Sequence, residues 1–298
     1  ILGLSLIGGD NMTFDREHPA TSTPKKKIAE LKVVPFDTKE YDHRMLVLAN
    51  YPIGTSTASG TVSVATTTAN LWPVKTVYPN TGAILPNKRI IAYYGNLYST
   101  KMGALGEYPE DEMLRRLQAE VNKWNESDPS TPAIPALHYI AVTAQMSKGA
   151  DGKYRLRMPD SQIDEVLRMA QKIDAIVFID IQVGLSTLQA ELPLLEKYFK
   201  MPNVHLGIDA EFSMKGGDRP GTVVGTFDAA DINYAANYLA RIVRENNLPP
   251  KVLVVHRYTQ MMITNYKKIT PLPEVQVVMH MDGWGGPAKK INTYQRFV

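Results

Sequence analysis

The hydrophobic pattern changes character at residue 89. From there on, short apolar runs alternate with segments whose apolar residues recur at helical spacing. Arg89–Gly95 (RIIAYYG), Ile134–Thr143 (IPALHYIAVT), Ala175–Val183 (AIVFIDIQV), Val204–Glu211 (VHLGIDAE), Lys251–Arg257 (KVLVVHR) and Val275–Asp282 (VQVVMHMD) read as six strands. Near-continuous apolarity is expected of parallel strands covered by helices. Between them, Met113, Leu114, Leu117, Val121 and Trp124 share one face of a helix over Glu110–Glu126. Ile163, Val166, Leu167, Ala170 and Ile173 share the face of a helix opened by Ser161 and Asp164 as a capping box. A helical stretch then runs to Lys200, with Pro193 starting its second half. Asp228 caps a helix through Asn246 that turns Ile232, Ala235, Leu239 and Ile242 inward. Gln260–Lys268 reads as the next helix, and Pro287 starts a last one containing Ile291, Tyr294 and Phe297.

Six β–α units suit either a doubly wound sheet or a (β/α)8 barrel. No G-x-G-x-x-G follows the first strand and no G-x-x-x-x-G-K-[ST] occurs, which disfavours a phosphate-cradling doubly wound fold. A full barrel takes about 250 residues. The expected fold class is therefore α/β: a (β/α)8 TIM-type barrel truncated after the sixth β/α unit, over residues 89–298. An N-terminal extension covers residues 1–88. The chain starts at Ile1 rather than Met and stops within the last helical segment, so it reads as a fragment of a longer barrel.

Within the extension, Ile1–Gly9 (ILGLSLIGG) is too short to span a bilayer, which needs roughly 20 residues. It reads as the remnant of a signal peptide or membrane anchor. Leu31, Val33 and Val34 suggest a short strand. Thr38 suits the cap of a helix in which Tyr41, Met45 and Leu48 share a face. Gly54–Ala69 contains only Gly, Ala, Ser, Thr and Val, too little side chain to offset the entropy of ordering it. It reads as a flexible linker, extended by Pro73, Pro79 and Pro86.

Charge narrows the partners. Lys and Arg number 33 against 30 Asp and Glu, and neither the extension nor the barrel region is lopsided, so nucleic acid is not an expected partner. With no cysteine there is no disulfide, thiolate metal site or cysteine nucleophile. The expected partner is a polysaccharide or another small polar ligand. Membrane contact is expected only through the N-terminal anchor, and the chain is placed outside the cytoplasm.

Candidate chemistry gathers at the C-terminal ends of the strands, where barrels carry their active sites. Those ends supply Tyr94 and Asn96; Asp180 and Gln182; Asp209 and Glu211; His256; and His280, Asp282 and Trp284. The two-residue strand period aims Asp180 with Gln182, and Asp209 with Glu211, to one side. A carboxylate inside an apolar strand costs several kcal/mol unless paired, so such placement implies use. Two coupled carboxyls, one protonated and one ionised, are the means of glycoside hydrolysis. In that reading Glu211 is the proton donor, and Asp209 or Asp180 orients it or stabilises the cationic transition state. Tyr94, Asn96, Gln182, His256, His280, Asp282 and Trp284 bind substrate. No metal or other cofactor is expected. Two alternatives stand beside it. One is a non-catalytic carbohydrate- or wall-binding module. The other is a metal-dependent hydrolase using His256, His280 and Asp282; it lacks an H-x-H on the first strand and any H-E-x-x-H.

Gly207-Ile208-Asp209-Ala210-Glu211 resembles the D-x-E strand of muramidase-type lysozymes and is similar to the acidic fourth strand of chitinase-type glycosidases, though Ser213 stands where the latter has a final Glu. More broadly, Tyr93–Gly95, Asp180–Gly184, Asp209–Phe212, Val254–His256 and His280–Gly283 resemble a family of uncharacterised bacterial barrel proteins, often secreted or lipid-anchored. That resemblance implies the barrel and exposure at the cell surface.

Overall fold

The computed structural model describes residues 36–48, 77–283 and 285–297. The Ile1–Gly9 run, the Leu31–Val34 strand, the Gly54–Ala69 linker and Trp284 lie outside the described residues.

Among the described residues the elements are, in chain order, α1 (Thr38–Leu48), β1 (Arg89–Gly95), α2 (Ala104–Glu107), α3 (Glu110–Ser127), β2 (Ala133–Ala144) and β3 (Arg155–Arg157). Next come α4 (Asp160–Gln171), β4 (Ile176–Ile181), α5 (Leu188–Glu191), α6 (Glu196–Phe199), β5 (Val204–Asp209) and β6 (Phe227–Asp228). α7 (Ala229–Asn246), β7 (Lys251–Arg257), β8 (Ile263–Thr264), β9 (Val275–Met281) and α8 (Pro287–Phe297) follow. Six of the strands form one parallel sheet in the order β1-β2-β4-β5-β7-β9. β3 folds back antiparallel on the end of β2, and β6 and β8 pair separately.

The sheet is curled into a half-barrel. Tyr94 on β1 and His256 on β7 are four strand spacings apart in the sheet, about 19 Å if it were flat. Their ring centroids lie 5.5 Å apart. At the foot, the segment before β1 ties to the opposite edge. The Ile84 and Leu85 amides donate to Gln276 Oε1 on β9, at 3.0 and 3.1 Å, and the Gln276 amide donates back to Leu85 O at 2.6 Å.

Strand alternation sorts the residues. Leu137, Tyr139, Val177, Ile179, Leu206, Ile208, Leu253 and Val255 face the helices and belong to one large core. α7 meets it with Ile232, Leu239, Ile242 and Val243, each of which contributes about 1.5–3 kcal/mol when fully buried. On the concave side, Ala136, Phe178, Val252 and Val254 make a smaller apolar layer.

Several boundaries differ from the sequence reading. Gln260–Lys268 is not a helix. It holds two short 3-10 turns around β8, because Met262 and Ile263 are buried and Asn265 takes a left-handed conformation. The stretch to Lys200 breaks into α5, a 3-10 turn over Leu192–Leu195 that contains Pro193, and α6. α4 starts at Asp160 behind Pro159, so Ser161 and Asp164 form no capping box. Asp37 rather than Thr38 caps α1, accepting from the Lys39 and Glu40 amides, while Tyr41, Met45 and Leu48 share its half-buried face. The fourth apolar run ends as a strand at Asp209, not Glu211. Among the described residues no helix is long and apolar enough to cross a membrane.

Two buried bases sit at the foot of the sheet. Lys251 is wholly buried, and its Nζ donates to the carbonyls of Met201, Pro202 and Val204 at 2.5, 3.5 and 2.9 Å. Lys251→Met removes this donor from all three carbonyls, of which Met201 O keeps the Val204 amide, and should lower unfolding stability by about 2–4 kcal/mol. Denaturant titration measures this, and an unchanged midpoint would refute the role. His205 accepts the Val252 amide at Nδ1, 3.0 Å away. Burial, helped by the Lys251 charge, pushes its imidazole down to about 3. An unfolded histidine titrates near 6.5. Between those values the folded state binds fewer protons, so stability falls as pH drops from about 6.5 toward 3. His205→Gln should flatten that fall by up to about 1.4 kcal/mol per pH unit. Parallel stability–pH curves for variant and wild type would contradict the assignment.

Candidate functional site

The concave face changes from apolar at the foot to polar at the mouth. Each of five strands contributes a polar side chain there. Tyr94 comes from β1, His138 from β2, Asp180 from β4, Asp209 from the end of β5 and His256 from β7. β9 adds His280, with Asp282 just beyond it. Gln182 follows β4.

Asp180 is the centre. It is 0% exposed. Its Oδ2 lies 2.8 Å from His138 Nε2 and 2.9 Å from His256 Nε2. The two Nε2 atoms are 3.3 Å apart. His256 Nδ1 in turn lies 3.1 Å from Asp282 Oδ2 and 3.3 Å from His280 Nδ1. Asp180 Oδ1 is buried without a partner, as is Asp282 Oδ1. The backbone allows this crowding at one position. Gly207 stands opposite Asp180 in the β4–β5 register, and a Cβ there would collide with both Asp180 Oδ2 and His138 Nε2.

Electrostatics follow from the geometry. Burial opposes charge on both Asp180 and His256, but each overcomes it through the other. The charged His256 and the hydrogen bonds from His138 and His256 hold the Asp180 carboxyl well below the usual carboxylate range. Asp180 and Asp282 hold His256 protonated far above the ordinary imidazole range. His138 goes the other way, because burial outweighs its hydrogen bond to Asp180.

Asp209, 6% exposed, occupies a different environment. Burial, with repulsion from Asp180, Asp282 and Glu211 outweighing the nearby His256, pushes its carboxyl up to about 8. Gln182 connects it to the cluster, with Nε2 3.4 Å from Asp209 Oδ2 and 3.3 Å from the Tyr94 hydroxyl. Gln182 is itself oriented by the Ala144 amide, which donates to its Oε1 at 3.0 Å.

Glu211 does not continue the strand with Asp209. Asp209 ends β5 and caps a 3-10 turn over Ala210–Phe212, its Oδ1 accepting the Glu211 amide at 2.9 Å. The two-residue strand period therefore does not apply to this pair. Glu211 is carried to the half-buried rim by the turn. Burial and the Asp282 charge raise its carboxyl, against a hydrogen bond with Tyr258.

Tyr94, Asp180, Gln182, Asp209, His256, His280 and Asp282 thus converge. Asn96 does not join them. It is a buried tie whose side-chain amide donates to Ile140 O at 2.9 Å and whose Oδ1 accepts the Tyr98 amide at 2.8 Å. His138 was not among the residues singled out in the sequence, since it lies in mid-strand rather than at the strand's end. Its signal is a lone histidine in an apolar run with inward parity, matching Asp180 on the next strand. Tyr258, which meets Glu211, follows β7 in a loop and carries no such signal.

A separate cavity of about 430 Å³ lies between the loops after β4 and β5 and the start of α7, lined in part by Ser186, Thr187, Ser213, Lys215 and Asp231. It includes none of the clustered side chains. The cluster can do three things chemically: deliver a proton from a carboxyl, hold a carboxylate ionised beside it, and offer imidazole nitrogens to a cation. No protein-family model and no curated protein matches the chain, so the reading of this site rests on its geometry.

Proposed function

We propose that the chain is a hydrolase of the glycosidase type, acting outside the cytoplasm on a cell-wall or other polysaccharide. The curled six-stranded sheet is then the larger part of a (β/α)8 barrel, and the polar cluster lies at the C-terminal mouth where such barrels do their chemistry. The observation that carries this reading is the placement of Glu211. Its half-buried carboxyl stands at the rim with a raised proton affinity, beside two further carboxyls, Asp209 and Asp282.

Glu211 delivers its proton to the oxygen of the departing sugar as the glycosidic bond breaks, and a water molecule adds to the anomeric carbon and gives up a proton that restores the acid. Asp209 fixes the turn that presents Glu211 by holding its amide. Asp180, kept ionised by two imidazoles and paired with the protonated His256, orients the cluster under the positive charge that develops at the anomeric carbon. Tyr94, Gln182, His280 and Asp282 supply hydrogen-bonding groups for hydroxyls. The likeness of residues 207–211 to the D-x-E strand of muramidases supports the choice of a wall polysaccharide.

Glu211→Gln keeps the shape of the side chain and removes the proton. Turnover of insoluble peptidoglycan and of β-linked hexosamine polymers should fall by about 10²–10⁴. Aryl glycosides with a nitrophenolate leaving group, which need no proton, should lose far less. A Gln variant with wild-type turnover on both substrate types would rule out Glu211 as donor. Binding without any product from the wild type would point instead to a non-catalytic wall-binding module. The pH dependence has a definite sign. Wild-type rate falls as pH rises through the raised Glu211 value, because the acid must be protonated to act. The rate–pH profile of Glu211→Gln should lack that limb, and a profile that keeps it assigns the limb to another group.

A further inference from the structure

The sharing of one carboxylate oxygen by two imidazoles calls for an explanation beyond hydrogen bonding. One carboxylate oxygen can accept two donors, but two donors on the same oxygen leave the other without a partner. Here both His138 Nε2 and His256 Nε2 meet Oδ2, and Oδ1 remains buried and bare. The three atoms form a small triangle with edges of 2.8, 2.9 and 3.3 Å. Ligands bound tetrahedrally about 2.0–2.1 Å from a zinc ion are themselves roughly 3.3 Å apart. An ion at that distance from all three atoms would stand roughly 1 Å out of their plane and would take the place of the proton that His256 Nε2 shares with Asp180, which is released to solvent on binding.

We infer that His138, Asp180 and His256 form a three-ligand site for a divalent transition-metal cation of the zinc type.

Four observations support the assignment. Two imidazoles and a carboxylate are a donor set that suits zinc and its neighbours and disfavours magnesium or calcium, which prefer oxygen alone. All three ligands are buried on three different strands of one rigid sheet, which fixes the triangle before any ion arrives. His256 has the outer support expected of a metal-bound imidazole. Its second nitrogen, Nδ1, meets Asp282 Oδ2 at 3.1 Å, an arrangement that sets the tautomer and turns Nε2 toward the ion. Lastly, Gly207 presents no side chain beside the ligand atoms, where any Cβ would displace them.

A second triad is close by: His256, His280 and Asp282. It uses the opposite nitrogen of His256, and it is built on an exposed His280 and a half-buried Asp282. The first triangle is the site because it is buried and rigid. Asp282 then serves as the support of His256 rather than as a ligand. The inference goes beyond the hydrolase reading and does not require it, since an ion in this position binds whether or not a polysaccharide is cleaved.

The test uses the full chain, stripped with a chelator, dialysed, and titrated with Zn2+ and separately with Co2+ by calorimetry. One ion per chain should bind. His138→Gln and Asp180→Asn should weaken it at least tenfold, whereas His280→Ala should change it by less than about threefold. Circular dichroism of each variant checks that it folds. If the ligand variants fail to fold, wild type decides: Co2+ should shift and broaden the imidazole proton resonances of His138 and His256 more than those of His205. Binding of neither ion by folded wild type overturns the inference. Loss of binding in His280→Ala with retention in His138→Gln also overturns it, and moves the ion to the second triad. Polysaccharide turnover is measured separately, so failure there leaves this result intact.

Discussion

An ionised carboxylate in the middle of an apolar sheet must be paired, and most of this molecule follows from how Asp180 meets that requirement. Its partners come from both sides. His138 belongs to the neighbouring β2, but His256 belongs to β7, two strands away, with β5 in between. The carboxylate reaches across only because the sheet curls and because the β5 residue opposite it is Gly207. Isolated burial of that charge would cost several kcal/mol, and breaking the pair by removing one partner typically costs about 3–5 kcal/mol. The curl, the glycine and the two histidines are thus one constraint expressed in four strands.

The two faces of the sheet divide the remaining work. The helix-facing side is apolar throughout and carries the bulk of the hydrophobic burial, against α3, α4 and α7. The concave side is graded. At the foot, Lys251 Nζ donates to backbone carbonyls and His205 Nδ1 accepts the Val252 amide, which locks the start of β7 against β5. Above them lies the thin apolar layer around Phe178, on which His138 stacks with centroids 4.9 Å apart. Only above that layer do the titratable groups gather. Placing them on rigid strands, with loops confined to the rim, keeps their mutual distances short while leaving Glu211 and His280 accessible.

Adjacent strands carry carboxyls of opposite behaviour. Asp180 has two cationic or donor partners and stays ionised. Asp209 has no cation in direct contact, and burial together with Asp180, Asp282 and Glu211 outweighs His256 and raises its carboxyl. Burial is common to both, so the difference comes from neighbours alone. The proposed hydrolase reading uses such a separation, and it is also why a cation would be drawn to Asp180 rather than to Asp209.

Much of this was legible in the chain, for a physical reason. A strand covered by helices must be apolar, so the six parallel strands and the inward carboxylates within them stand out from the pattern. α3 and α7 were likewise readable from their 3.6-residue stripes. Signals that depend on contact with distant residues were not. Gln260–Lys268 has helical spacing, yet Met262 and Ile263 found burial in a short ribbon with Phe227 instead. Asp209 and Glu211 looked like a strand pair, but hydrogen bonding between the Asp209 carboxylate and the next turn ended the strand between them. His138 was hidden because a mid-strand histidine has no meaning until its parity and neighbours are known. Asn96 looked like a ligand-binding residue at a strand end and became a tie to the backbone of β2. By itself, then, the sequence determined the alternation of strands and helices and the set of polar residues that burial would have to accommodate. Tertiary structure decided which of them meet, because strands distant in the chain come within 3 Å only through the curl of the sheet, and no local periodicity encodes that closure.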